Sequence, residues 1–195
     1  MARAAPAGLG VSAVATRLRP PRPQEEAVLA GWRADPASPY EDFTGGPTPG
    51  RYDTGLPTAP PGLGRLAVTD GDDLLLGTVS WHEVTYGPNR GSTALSIGIS
   101  LRPSARQKGH GARAQGMLAE YLFVSYPVHR LEATTDVTNV AEQRALERAG
   151  FRREGVLRGA QWRGGRHDLV MYARLRDDPA TDGDPTTARR PRVTC

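Results

Sequence analysis

At Gly109–Gly111 the chain changes its hydrophobic period. Before this point TALSIGISL alternates as a strand does. After it Ala114, Met117, Leu118, Tyr121 and Leu122 recur every three or four residues, as on an amphipathic helix. A strand, the loop RPSARQKGHG and a helix, in that order, point to an α/β fold with layered elements. The loop also carries chemistry. The first N–H groups of a helix lack partners, and the helix dipole places partial positive charge there. Without side chains at Gly109 and Gly111 an anion can approach the backbone, and Arg106 and Lys108 add charge. A plain strand-to-helix turn with exposed basic residues is the alternative. A Walker loop is excluded because GxxxxGK[ST] is absent, and the dinucleotide GxGxxG fails because Ala112, Arg113 and Ala114 follow Gly111.

The other segments extend the α/β reading. Ala27, Leu29, Ala30 and Trp32 form a short apolar helix face behind Glu25 and Glu26. Residues 36–64, crowded with Gly and Pro, read as a long surface loop in which Tyr40, Asp42 and Phe43 are candidates to shape a pocket. RLAVTD, LLLGTVSWHEVTYG and TALSIGISL form an antiparallel meander. After the helix come the strand HRLEATTDV, the helix VAEQRALERAG ended by Gly150, and two strands about the turn RGGRH. A chain of 195 residues suits one domain, expected over 14–176, with a flexible N-terminus at 1–13 and a disordered tail at 177–195.

Composition narrows the chemistry. Cys195 is the only cysteine, which leaves no internal disulfide or zinc knuckle, so no metal is expected. No apolar run reaches a membrane-spanning length, and the chain reads as cytoplasmic with no membrane partner. The net charge is +4 and the pI about 9.6. Lys108 is the sole lysine among 25 basic residues, so the arginine bias is weak support for nucleic-acid binding. An anionic small ligand would explain the surplus as well.

The stretch SIGISLRPSARQKGHGARAQGMLAEYLF, containing the pattern [QR]-x-x-G-x-[GA], resembles the strand–loop–helix motif of the GNAT superfamily of acyltransferases. TDVTNVAEQRALERAGFRREGVLRG is similar to the next region of that family. RHDLVMYARL resembles the closing strand of the branch that includes the Rim-type ribosomal-protein N-terminal acetyltransferases. The resemblance covers roughly residues 14–176. It implies a mixed, mostly antiparallel twisted sheet with flanking helices and a splayed central pair, SIGISL and LEATTD. Acetyl-CoA would lie in the gap. Ile99 and Leu101 would meet its pantetheine arm by backbone, and Arg106, Gln107, Lys108, Gly109, His110, Gly111 and Ala112 would hold the pyrophosphate through N–H groups.

For the chemistry, the resemblance ranks Asn139 first, with a part in cofactor binding as well. Asp136 follows on the face shared by Glu132, Thr134 and Asp136. His82 and Glu83 are further candidate bases, and alternation lets only one of them face the cleft. Glu142 stands where the Rim-like pattern has Ser. It either donates a proton, if burial raises its pKa, or is a solvated helix residue beside Arg144. The implied acceptor is a primary amine on a peptide, a protein N-terminus, or a small metabolite or antibiotic. Two alternatives keep the fold: an aminoacyl donor on charged tRNA, and a non-catalytic CoA-binding module. A homodimer is open.

Overall fold

A computed structural model describes residues 15–32 and 63–179. Tyr40, Asp42 and Phe43, the expected flexible N-terminus and all but the start of the expected tail therefore lie outside the described residues. Seven strands form one sheet in the order β1-β2-β3-β4-β5-β7-β6. They are β1 (Arg17–Arg19), β2 (Leu63–Thr69), β3 (Leu75–Thr85), β4 (Thr93–Leu101), β5 (Arg130–Asp136), β6 (Arg152–Trp162) and β7 (Arg166–Leu175). The helices are α1 (Glu25–Trp32), α2 (His110–Ser125) and α3 (Val140–Arg148). All neighbouring pairs are antiparallel except β4 with β5. The meander, both later helices and the closing hairpin appear where the sequence places them. β1 is new: the arginine-rich RLR pairs with Ala67–Thr69 of β2.

The two faces of the sheet have different partners. Trp81 of β3 meets Tyr121 and Tyr126 edge-on, at 5.9 and 6.4 Å between ring centroids, so its face lies under α2 and the turn that follows it. Register then puts Val79, Leu95, Ile97, Ile99 and Leu131 on that face. With Leu118 and Leu122 of α2 and Tyr172 of β7 they form the core. On the opposite face Arg65, level with Ser80, pairs with Glu26 of α1. Arg19 binds Glu25 at 2.6 Å and Asp73 at 2.7 Å, tying β1, α1 and the β2–β3 turn together.

Candidate active site

β4 and β5 start as neighbours and then part. Only Leu95↔Leu131 and Ser96↔Glu132 are in register between them, although β4 stays paired with β3 through Leu101 and β5 with β7 through Asp136. The strands thus open into a wedge bounded by residues 97–101 and 133–136. Backbone groups that would have closed this pair face the gap and need other partners. Ile99 and Leu101 turn their half-buried side chains to the core, leaving the backbone as their contribution to the wedge.

The loop from β4 to α2 is set by two left-handed residues, Gln107 at φ 59° and Gly109 at φ 87°. Gly109 is the N-cap of α2 and supplies no side-chain cap. The N–H groups of this first turn therefore remain available to an anion. Arg106 turns back, its Nε donating to the Leu101 carbonyl at 2.8 Å, which fixes the loop against the strand. Gln107 and Lys108 are exposed.

Two loop residues depart from expectation. Gly111 does not clear a path for an anion. A Cβ there would point at Leu101 and Ile99 of β4 and Ala145 of α3, at an ordinary contact distance of 3.7–4.0 Å, so this position faces the packed interior and has room for a methyl group. The His110 side chain is buried, with Nδ1 3.0 Å from Thr16 Oγ1, and burial lowers its pKa. His110 pins α2 to the chain just before β1, leaving only its N–H for a ligand.

On the far side of the wedge Asn139 caps α3, its Oδ1 accepting from the Glu142 N–H at 3.3 Å. Glu142 is not the solvated helix residue of the plainer reading. Its side chain is half-buried and its carboxylate accepts from the amide of Gln115, a fully buried residue of α2 whose Nε2 also lies 3.3 Å from the Gly111 carbonyl. Burial pushes the Glu142 carboxyl up to about 7 against the weaker opposing pull of Gln115. The helix start favours the charged form by up to about 2 kcal/mol for a partly buried group, and burial wins.

Asp136 is buried and its oxygens are engaged. Oδ1 accepts from the Thr138 N–H at 2.8 Å and hydroxyl at 2.6 Å, and Oδ2 meets Arg163 and, at 3.4 Å, His167. Burial raises its pKa, but the Thr138 bonds and the charges of Arg163 and His167 outweigh it and hold the carboxyl below its ordinary value. Such a group orients the β5–α3 turn and is poorly disposed to take a proton.

The remaining candidates divide by face. Glu83 shares the α2 side of β3 with Trp81, at an exposed strand end. His82 is exposed on the other side, level with Ser96 of β4, which is level with Glu132 of β5. His82, Ser96 and Glu132 thus form a polar row where the wedge begins. Glu132 accepts from Tyr86 Oη at 2.5 Å and lies 3.3 Å from Arg130, which also grips Glu154. The sequence reading did not single out Tyr86, Arg130, Arg163, Thr16 or Gln115. Gln115 left a trace, a polar residue on the buried stripe of Ala114, Leu118 and Leu122.

A mixed sheet that splits between its parallel strands, with a long helix beginning at the split, defines an acyltransferase-type fold. Residues 16–152 match the acetyltransferase (GNAT) domain family, and the chain belongs to that family. It is 37% identical over 90 residues to the probable N-acetyltransferase YjcK of Bacillus subtilis, covering 46% of this chain and 48% of that one. The chain spans about half to three fifths of the curated relatives it matches. Among solved structures, Mycobacterium smegmatis RimJ in complex with CoA-disulfide aligns with a TM-score of 0.65 at 22% identity, over 83% of this chain and 82% of RimJ. Spermidine N-acetyltransferase from Vibrio cholerae, in complex with CoA and spermine, gives 0.65 at 18% identity, over 84% and 96% of the two chains. Both likenesses establish the fold. No helix among the described residues is long and apolar enough to cross a membrane, and these residues contain no cluster suited to a metal ion.

Proposed function

We propose that this chain transfers an acetyl group from acetyl-CoA to a primary amine by direct attack on the thioester. The acceptor class is a protein or peptide N-terminus or a small amino-bearing metabolite. The observation that carries this reading is the parting of β4 and β5 beneath the start of α2. An amide-bearing pantetheine arm supplies the partners that the opened backbone needs, much as an added strand would. The pyrophosphate suits the uncapped N–H groups of residues 107–112 and the positive end of a 16-residue helix, the Arg106 N–H being taken by the Pro103 carbonyl at 3.2 Å. Arg102, where the loop begins, has a buried Nε without a hydrogen-bond partner among the described residues, as befits a place that receives an acceptor group.

Acetyl-CoA supplies an acyl group on a thiol whose pKa of about 8.5 makes it a fair leaving group. Transfer to an amine moves one proton off nitrogen and one onto sulfur. His82, exposed on the face opposite α2, takes the first directly or through water. Glu142, protonated near neutrality, gives the second and recovers it from solvent. Asp136 and Asn139 act as positioning residues, holding the β5–α3 turn and the start of α3. The test is calorimetry with acetyl-CoA followed by turnover against a panel of peptide N-termini and polyamines. Saturable binding that is lost in Gly109→Val supports the reading. Absence of any CoA binding overturns it.

A further inference from the structure

Glu142 and Gln115 meet where α2 and α3 both begin, at the two sides of the wedge. The contact is a relay of three groups: the Glu142 carboxylate, the Gln115 amide and the Gly111 carbonyl in the first turn of α2. The same turn offers its N–H groups to an anion. A polyanion arriving there would confront a carboxylate in surroundings that screen charge poorly. A neutral carboxylic acid in the same place opposes nothing.

We infer that CoA binding is coupled to protonation of Glu142, so that the site takes up a proton whenever CoA binds above neutral pH. This rests on the reading of the wedge as a CoA site. The other charged groups on the packed elements are paired elsewhere or exposed. On α2, His110 bonds Thr16, Arg113 is exposed and Glu120 pairs with Arg174. On β5, Arg130 and Glu132 pair with each other at the closed end of the wedge, and Asp136 is held by Thr138, Arg163 and His167. On β6, Arg152 pairs with Asp178, Glu154 pairs with Arg130, and the charge of Arg153 acts on Tyr172, which bonds Glu147 of α3. Arg144 on α3 itself is exposed. None of them is a cause of the Glu142 shift, which comes from burial opposed by Gln115.

The test is titration calorimetry of the full chain with acetyl-CoA, which has no thiol of its own to titrate, in buffers of different ionisation heat. Near pH 8.5 wild type takes up close to one proton on binding, and its affinity is about twentyfold weaker than near pH 6.5. Glu142→Gln takes up none and loses most of this pH dependence. Gln115→Met, which removes the amide that favours the charged carboxylate, moves the loss of affinity to higher pH. Equal affinity at both pH values without proton uptake overturns the coupling and leaves the CoA site standing. Proton uptake unchanged in Glu142→Gln assigns the proton to another group and overturns it too. A chain that binds no CoA at either pH overturns both this inference and the reading beneath it.

Discussion

Gly109 and Gly111 look interchangeable in the hexapeptide RQKGHG, yet the backbone uses them differently. Gly109 sits at φ 87°, where a Cβ is strained whatever space surrounds it. Gly109→Ala should therefore cost about 1 kcal/mol in urea unfolding and weaken CoA binding by distorting the N–H cradle. Gly111 has ordinary helical geometry, and the nearest atoms to an added Cβ are 3.7 Å away. Gly111→Ala should be neutral or stabilising by up to about 0.5 kcal/mol, with CoA affinity within about twofold of wild type. Gln107 is the converse case, a side-chain-bearing residue at φ 59°. Gln107→Gly should add about 0.5–1 kcal/mol of stability and leave CoA affinity unchanged if the loop binds through its backbone. Loss of affinity there would mean that the Gln107 side chain holds the ligand.

At the scale of elements, α3 shows most directly what one side chain does. Asn139 was expected in the chemistry, and the structure gives it the N-cap. Asn139→Ala should cost about 1 kcal/mol, measured by thermal unfolding, whereas Asn139→Asp should keep most of the stability. A catalytic Asn would instead lose turnover in the Asp variant while stability held. The pattern N-x-x-E at 139–142 was readable as a helix start, as was the change of period into α2. The split between β4 and β5 was not readable from residue pattern, because SIGISL and LEATTD alternate alike whether or not they pair; resemblance alone supplied it. β1 escaped for a related reason. Three residues have no period to read, and RLR is a strand because β2 offers it an edge. Arg176 shows the same limit at the other end of α2. It donates to the Phe123, Tyr126 and Val128 carbonyls at 2.7–2.9 Å, a helix-terminus role that nothing local in the sequence announces.

For the whole molecule, two titratable groups at the start of α2 and α3, the buried His110 and the half-buried Glu142, oppose each other in the dependence of stability on pH. The Glu142 carboxyl is raised from 4.5 to about 7, so the folded chain holds a proton that the unfolded chain releases. Its stabilising effect is complete below pH 4.5 and is lost as pH rises through about 7. The His110 ring is lowered from 6.5 by burial, so the folded chain resists a proton that the unfolded chain accepts. Its contribution is present above pH 6.5 and is lost as pH falls below it. Glu142→Gln removes the first effect alone. Its stability relative to wild type should climb between the two carboxyl pKa values and then level off, with a total rise on the order of 2–3 kcal/mol, the lower figure allowing for partial exposure. His110→Asn should alter the acid limb instead, its stability relative to wild type rising as pH falls below 6.5. Urea unfolding from about pH 4.5 to about pH 8.5 reads both slopes in one series. A flat difference for Glu142→Gln would mean that its carboxyl titrates as an ordinary surface acid, and the proton assigned to the CoA site would have no place to reside.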